Sequence, residues 1–263
     1  MGEPLTIQIS DGADKLYQAE QNLSVISPLT AEFTDMSIET AYQIQMKNVL
    51  RKEASGDRIV GHKIGLTSKP MQHMLGVNEP DFGHLFASMY YQSGDVIDYP
   101  LIQPKVEPEL AFVLKEDLEG ESVSVQDVIR ATQYILPAIE VIDSRIADWK
   151  IRLADTISDN ASSGCFVLSN FASSIENLNF LTTGAVMKIN DKVVQTGAGA
   201  AVLGNPALAV AWLANKLNAL GTTLKSGDVV LSGAVSAAVA VIPGDHVSVS
   251  FGKLGRVEAT LRK

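Results

Sequence analysis

The stretch Gln103-Pro104-Lys105-Val106-Glu107-Pro108-Glu109-Leu110-Ala111-Phe112-Val113-Leu114 carries the most informative pattern in the chain. Residues 110–114 are apolar and rich in strand-forming residues, which predicts a buried strand. Glu107 and Glu109 lie two residues apart where this strand begins. Because side chains on a strand alternate with period two, both carboxylates are expected on the same face. Two like charges beside a core are unfavourable unless a cation neutralises them.

A second apolar run contains a further carboxylate. In Tyr134-Ile135-Leu136-Pro137-Ala138-Ile139-Glu140-Val141-Ile142-Asp143, Glu140 lies between two apolar neighbours. Three carboxylates on two apolar strands suggest a divalent cation, and oxygen ligands suit magnesium, manganese or calcium. The alternative is that Glu107 and Glu109 flank an exposed strand end and pair with Lys105 or with a distant arginine.

Composition limits the classes of protein that fit the chain. Its 263 residues are 46% hydrophobic, which is enough for a large core in one domain or two. The net charge of −9 argues against general nucleic-acid binding, although a local metal or lysine can still attract a small anionic substrate. The single cysteine, Cys165, excludes an internal disulfide and fits a reducing cytoplasm. Its apolar neighbours predict a buried, unreactive thiol.

Targeting and membrane segments are not expected. Residues 1–4 do not show a basic region leading into an apolar one, as a signal peptide would. The longest apolar region, residues 198–220, is interrupted by Gly204-Asn205-Pro206 and by Asn215-Lys216, so it does not predict a membrane span.

The order of predicted elements indicates an α+β protein. Residues 1–57 predict an N-terminal helical segment, with a helix over 12–21 and a longer one from residue 38, whose apolar stripe is interpreted as packing surface. Residues 58–263 predict a domain that is built mainly of short strands and contains the candidate metal-binding glutamates, with helices from Ser124 through Tyr134 and from Pro206 through Leu220. Since strands and helices do not alternate regularly, a curled mixed sheet is expected.

Two ionisable residues lie in segments of special interest. Lys63 is inside the predicted strand Arg58-Ile59-Val60-Gly61-His62-Lys63-Ile64-Gly65, either on an exposed face or held for chemistry. Spacing alone favours the exposed face, because lysine is seldom buried. Asp81 lies in a turn-rich segment, residues 78–83, which predicts a loop.

Several stretches together resemble a known family. They occur in this order: Val60-Gly61-His62-Lys63-Ile64-Gly65-Leu66-Thr67-Ser68, Pro80-Asp81-Phe82-Gly83, Gln103-Pro104-Lys105-Val106-Glu107-Pro108-Glu109, Glu140-Val141-Ile142-Asp143-Ser144-Arg145, Asp159-Asn160-Ala161-Ser162-Ser163 and Gly197-Ala198-Gly199-Ala200-Ala201-Val202-Leu203-Gly204-Asn205-Pro206. The chain resembles, over nearly its whole length, the 2-hydroxypenta-2,4-dienoate hydratase and 4-oxalocrotonate decarboxylase group of the fumarylacetoacetate hydrolase superfamily. The set is specific for this group and much less specific between its members.

The resemblance implies a fold, a cofactor and a site. The fold would be a mixed β-roll, with residues 58–263 as the metal-binding catalytic domain, and the cofactor would be a magnesium or manganese ion. Carried over by motif, the metal ligands would be Glu107, Glu109 and Glu140, the active-site lysine Lys63, its acid–base partner Asp81, and the residues near the substrate Ser163 and Ser232. The substrate would be a small anionic 2-hydroxy-2,4-dienoate, or its 2-oxo tautomer, from the catabolism of aromatic compounds. The resemblance also implies a cytoplasmic homo-oligomer, which could associate with a partner enzyme of the same pathway.

The choice between hydratase and decarboxylase rests on few residues. Residues 71–83 and 61–65 resemble the hydratases, whereas residues 236–241 resemble the decarboxylases, and Ser163 stands where many hydratases have cysteine. We favour a hydratase because Asp81 offers a carboxylate that can position or deprotonate a water molecule.

Two further alternatives stay open at the sequence level. A C–C bond hydrolase of the superfamily is expected to use a His–Glu pair on a lid, and none of the histidines lies in a matching motif: His62, His73, His84, His246. A non-catalytic activating subunit of a hydratase–decarboxylase complex would be free to lose the glutamates and Lys63, which are intact here.

Overall fold

The computed structural model of the chain describes residues 5–120, 122–176 and 178–263. The helices in these ranges are α1 (Leu5–Gln21), α2 (Leu29–Glu32), α3 (Ile38–Ala54), α4 (Lys69–Leu75), α5 (Val125–Ala131), α6 (Leu153–Ser158) and α7 (Pro206–Ala219). The strands are β1 (Ile59–Gly65), β2 (Asp81–Phe86), β3 (Tyr90–Gln92), β4 (Val96–Ile97), β5 (Lys105–Leu114), β6 (Thr132–Ile142), β7 (Ser163–Leu168), β8 (Gly184–Ile189), β9 (Lys192–Ala198), β10 (Val229–Leu231), β11 (Val239–Ala240), β12 (His246–Phe251) and β13 (Gly255–Leu261).

The strands form two curled mixed sheets. The larger has the order β2-β1-β10-β5-β6-β7-β3, with β11 also paired to β5, and the smaller has the order β4-β13-β12-β8-β9. Strands β1 and β10, β3 and β7, and β4 and β13 run parallel, whereas the other neighbours run antiparallel. The predicted α+β class with a mixed sheet is therefore confirmed.

Strands β5 and β6 form the centre of the larger sheet. They pair antiparallel, with Glu107 opposite Glu140. One face of β5 carries Val106, Leu110 and Phe112, which are fully buried in the main hydrophobic core together with apolar side chains of α7. Because successive side chains alternate, the glutamates of β5 lie on the opposite face.

The N-terminal helices pack on this framework. Ser37 caps α3 by accepting a hydrogen bond from Thr40 N. Ile44 of α3 packs with residues of α1 and α2 in a small core, and Ala41 of α3 packs with Ile157 of α6 in another. The helical character predicted for the N-terminal segment is confirmed, while the division of the chain at residue 57 stays a prediction.

Some predicted element boundaries are wrong. Helix α5 ends at Ala131 rather than at Tyr134, because Tyr134 pairs with Val113 in the ladder between β5 and β6. The first helix begins at Leu5 rather than at residue 12.

The membrane expectation can be compared with the helices. No helix within the described ranges is long and apolar enough to cross a membrane. Residues 1–4, on which the expectation about a signal peptide rests, lie outside the described residues.

Candidate metal centre and active site

Three glutamates converge on one face of the central strands. Glu107 and Glu109 extend from β5, and Glu140 extends from β6 opposite Glu107. Each can place a carboxylate oxygen within 4.8 Å of the others. Glu109 and Glu140 are 1% exposed, whereas Glu107 is partly exposed. The structure thus brings together the three residues that the sequence proposes as metal ligands.

The glutamates are electrostatically strained when no cation balances them. Burial, followed by repulsion from Glu140, raises the pKa of Glu107 to about 7. Burial and repulsion from Glu140 and Glu107 raise the pKa of Glu109 well above its ordinary value. Burying several carboxylates in one place costs free energy that only positive charge or protons can offset.

This donor set fits a divalent cation. Glu109 Oε1 and both carboxylate oxygens of Glu140 are buried without a hydrogen-bond partner among the described residues. Buried polar atoms are rarely left unpaired. Glu140 Oε1 forms an ion pair with Lys63, but Glu109 Oε1 and Glu140 Oε2 have no such partner among the described residues, so these two oxygens point to a missing cation. An all-oxygen set suits magnesium, manganese or calcium rather than a metal that prefers sulfur or nitrogen.

Lys63 lies among these carboxylates. Its Nζ is 3.0 Å from Glu140 Oε1, although the angle at this ion pair is not that of a hydrogen bond. Burial by itself lowers the pKa of Lys63, but attraction by Glu140, Asp81 and the other two glutamates raises it above its ordinary value overall. Without a bound metal, these carboxylates favour the ammonium form of Lys63.

The exposed position favoured for Lys63 by spacing alone is wrong, because the residue is 3% exposed. Strand β1 lies inside the sheet between β2 and β10, so both of its edges are paired, and His62, Lys63 and Ile64 are buried on its two faces. A lysine at such a position is retained only with partners for its charge, and the acidic cluster provides them.

Asp81 lies next to Lys63 across the strand pair. A methyl group placed on Gly65 would lie 2.1 Å from Asp81 Oδ1 and 3.6 Å from Lys63 Nζ, so the two groups border the same small space. Burial raises the pKa of Asp81, and the Lys63 ammonium and the Thr156 hydroxyl oppose that rise. Asp81 thus combines a buried carboxylate with a neighbouring cation.

The predicted loop around Asp81 is wrong at its C-terminal part. Asp81 is the first residue of β2 and pairs with Gly65 of β1. It is 1% exposed, because the strand ladder and α6 enclose it.

Of the two serines assigned by resemblance, Ser232 lies beside the glutamates, and Ser163 lies next to Gly83, which pairs with Lys63. Ser232 is fully buried, its Oγ has no hydrogen-bond partner within the described ranges, and the following Gly233 N donates to Glu109 Oε2 at 2.8 Å. Ser163 Oγ donates to Asn160 O at 2.7 Å. Contact of either serine with substrate stays a prediction.

Two buried residues beside Asp81 were missed from the sequence. Thr156 Oγ1 donates to Asp81 Oδ2 at 3.3 Å, and Gln45 Nε2 donates to two backbone carbonyls near it. Thr156 lies in the short helix α6. The sequence signal for the start of this helix was Asp155. As its third residue, Asp155 accepts a hydrogen bond from Arg152 N on Oδ2 at 2.9 Å.

Comparison with known proteins places the chain in a family. The family described as fumarylacetoacetate (FAA) hydrolase C-terminal matches residues 54–262. The chain therefore belongs to the fumarylacetoacetate hydrolase family, which confirms the resemblance drawn from its motifs.

Individual relatives are similar over almost the whole chain. A 2-keto-4-pentenoate hydratase of Paraburkholderia xenovorans is 45% identical over 251 residues, covering 95% of this chain and 93% of that protein. A 2-hydroxypent-2,4-dienoate hydratase of Pseudomonas putida is 47% identical over 215 residues, covering 81% and 97%. The solved structure of 4-oxalocrotonate decarboxylase from Pseudomonas putida G7, complexed with magnesium and adipate, has a TM-score of 0.94 at 39% identity and covers 97% and 98% of the two chains.

Proposed function

We propose that this protein is a divalent-metal-dependent hydratase that converts 2-hydroxypenta-2,4-dienoate to 4-hydroxy-2-oxopentanoate. The observation that carries the proposal is a buried Asp81 whose Oδ1 borders the same small space as Lys63 Nζ, which itself lies 3.0 Å from Glu140 of the glutamate cluster. Sequence identity of more than 40% to proteins named 2-keto-4-pentenoate hydratase and 2-hydroxypent-2,4-dienoate hydratase supports the same reaction.

The metal would be magnesium or manganese, held by Glu107, Glu109 and Glu140. When bound, it supplies a Lewis acid that polarises the 2-oxygen of the substrate and anchors the adjacent carboxylate. Magnesium in the similar decarboxylase structure supports this assignment.

The reaction needs a proton shift and then the addition of water. In the first step the 2-hydroxyl group loses its proton and carbon 5 gains one, which gives 2-oxopent-3-enoate. In the second step water adds its oxygen to carbon 4 and a proton to carbon 3. Both steps place negative charge on the 2-oxygen, where the Lys63 ammonium would stabilise it.

Asp81 is the proposed base for the water. Its Oδ1 has no hydrogen-bond partner among the described residues, so this oxygen is free to accept a proton. Burial raises the pKa of Asp81, which makes its carboxylate more basic than an exposed one. Ser163 and Ser232 are proposed to contact the substrate beside it.

A decarboxylase is the second candidate. The observation that favours it is the TM-score of 0.94 to a 4-oxalocrotonate decarboxylase complexed with adipate, a six-carbon diacid. The same metal and lysine could stabilise the enolate that remains when carbon dioxide departs. Against it, Asp81 would add a further negative charge beside the substrate, which would oppose the second carboxylate of a diacid.

The experiment compares two substrates with purified, magnesium-loaded protein. We expect 2-hydroxypenta-2,4-dienoate to give 4-hydroxy-2-oxopentanoate, identified by NMR, and 2-oxohex-3-enedioate to release little carbon dioxide. Asp81→Asn should reduce hydration to a small residual rate with unchanged metal content, since the amide keeps the size but cannot accept the proton. Carbon dioxide release without hydration would establish the decarboxylase. Inactivity toward both substrates, with stimulation of a partner enzyme, would establish the activating subunit.

A separate proposal concerns the oligomeric state and the cellular location of the protein. We propose a homo-oligomer in the cytoplasm that could join a partner enzyme of the same pathway. The single buried cysteine is compatible with a reducing compartment.

A further inference from the structure

Within the described ranges, only one of the two oxygens of the Asp81 carboxylate accepts a hydrogen bond. Thr156 Oγ1 donates to Oδ2 at 3.3 Å, and both side chains are buried. Oδ1 has no such partner within the described ranges and points toward Gly65 and Lys63. A donor on one oxygen restricts rotation of the carboxylate, so the hydroxyl group determines which oxygen faces the site.

The side-chain amide of Gln45 is hydrogen-bonded to the backbone next to both Asp81 and Thr156. Gln45 Nε2 of α3 donates to Phe82 O at 3.0 Å and to Ile157 O at 2.8 Å. Phe82 directly follows Asp81, and Ile157 directly follows Thr156. Because both acceptors are carbonyl oxygens, the amide nitrogen must face them, and Gln45 ties β2 to α6 at the residues next to the pair.

Other contacts of the N-terminal helices support the same arrangement. Tyr42, one turn before Gln45 on α3, stacks on Phe82 with ring centroids 4.7 Å apart. Asp155 of α6 accepts hydrogen bonds from Thr30 N at 2.9 Å and from Thr30 Oγ1 at 2.7 Å. The helix that carries Thr156 is therefore anchored on both sides of that residue.

We propose that Thr156 and Gln45 are positioning residues that hold Asp81 with Oδ1 presented to the substrate. This inference rests on the proposed role of Asp81 as the base for water. It gives the N-terminal helices a part in catalysis, where the sequence suggested packing alone. Proton transfer depends on placement, and an error of about 1 Å in a reacting group can cost about 100-fold in rate.

The test compares two substitutions of Thr156. Thr156→Val keeps the shape but removes the hydroxyl group, and we expect kcat for hydration to fall by about 10- to 100-fold with KM and magnesium affinity unchanged. Thr156→Ser restores the hydroxyl group, and its kcat should lie within about threefold of the wild-type value. Gln45→Met removes the amide donors at similar volume, and kcat should fall in the same direction.

A matched control separates positioning from stability. Thr132 is also buried, and its Oγ1 donates a hydrogen bond to Val128 O at 2.7 Å. It lies at the opposite end of β6 from Glu140. Thr132→Val should lower the melting temperature with an unchanged kcat. If Thr156→Val lowers only the melting temperature and leaves kcat unchanged, as expected for Thr132→Val, the positioning role is overturned.

A double-variant cycle asks whether Thr156 acts through Asp81. In the Asp81→Asn background, Thr156→Val should cause no further loss of the residual rate. An equal loss in both backgrounds would overturn the inference, because Thr156 would then act independently. If Asp81→Asn loses turnover while Thr156→Val does not, positioning fails and the proposed function stands. If Asp81→Asn hydrates at the wild-type rate, the role of Asp81 fails and the inference fails with it.

Discussion

Lys63 and its surrounding carboxylates form one electrostatic unit. A buried lysine is stable only with compensating charge, and Glu140 lies 3.0 Å from its Nζ. The glutamates in turn need more positive charge than one lysine provides, which a divalent cation would supply. Charge balance thus links the metal site to the proposed catalytic lysine.

Replacing Lys63 tests its role in turnover. Lys63→Met keeps most of the side-chain volume and removes the charge, so we expect kcat to fall about 100- to 1,000-fold, since charge stabilisation beside the 2-oxygen is lost. Circular dichroism and metal analysis should show a folded protein that still contains metal. Lys63→Arg should not restore full activity, because a guanidinium group differs in shape and does not give up its proton. Near-normal turnover of Lys63→Met would contradict a catalytic role.

The raised pKa of Glu107 predicts how metal binding depends on pH. Its carboxyl group has a pKa of about 7 without metal, and the pKa of Glu109 is also raised. Protons therefore occupy the site below pH 7, and metal must displace them. We expect magnesium binding at pH 7 to release protons, and its apparent affinity to fall as the pH drops from 8 to 5.5.

Calorimetry in two buffers of different ionisation enthalpy measures this proton release. The observed binding enthalpy should differ between the buffers at pH 6.5, and the difference should shrink as the pH rises above the pKa of Glu107. Identical enthalpies and a constant affinity across this range would show that the carboxyl groups are already ionised without metal.

At the scale of elements, strand β2 and the turn before β7 are fitted closely together. Asn160, Ala161 and Ser162 all have left-handed backbone conformations, with φ of 52°, 50° and 53°. The Asn160 side chain bridges to β2, accepting from His84 N at 2.8 Å and donating to His84 O at 2.9 Å. Gly83 faces this turn, and a Cβ atom there would lie 2.4 Å from Asn160 O.

Gly83→Ala should therefore destabilise the protein strongly. The obstacle is a backbone oxygen, which cannot move away as a side chain can, so we expect a loss of about 2 kcal/mol or more in the free energy of unfolding. Gly184→Ala is a matched control in β8, because the nearest atom to its Cβ would be 3.8 Å away. Urea unfolding should show the control close to wild type. Equal stability of the two variants would contradict the close fit between β2 and the turn.

Local patterns were sufficient for some elements and insufficient for others. The two-residue spacing of Glu107 and Glu109 predicted their shared face, and the helix predicted from Pro206 through Leu220 corresponds to α7, Pro206–Ala219. Strand pairing is a long-range property, so the position of Glu140 opposite Glu107 could not be obtained from spacing. The same limit applied to Thr156 and Gln45, whose partners are 75 and 37 residues away.

At the scale of the whole molecule, the site draws on segments that are distant in the sequence. Glutamates from β5 and β6, Lys63 from β1 and Asp81 from β2 meet on the larger sheet, and helices α3 and α6 support them from one side. Membership of the family could be inferred from the order of motifs, because that order reflects the whole fold. The contribution of the N-terminal helices required the structure, since an apolar helical stripe looks the same whether it supports a site or only a core.

The most direct test of the central claim is a metal titration of turnover. Protein stripped with a chelator should not hydrate 2-hydroxypenta-2,4-dienoate, and activity should rise with added magnesium or manganese until one ion is bound per carboxylate cluster. Glu109→Gln should remain folded and inactive over the same titration, because it loses an anionic ligand. Full turnover by metal-stripped protein, or wild-type activity of Glu109→Gln, would contradict a three-glutamate metal centre as the basis of catalysis.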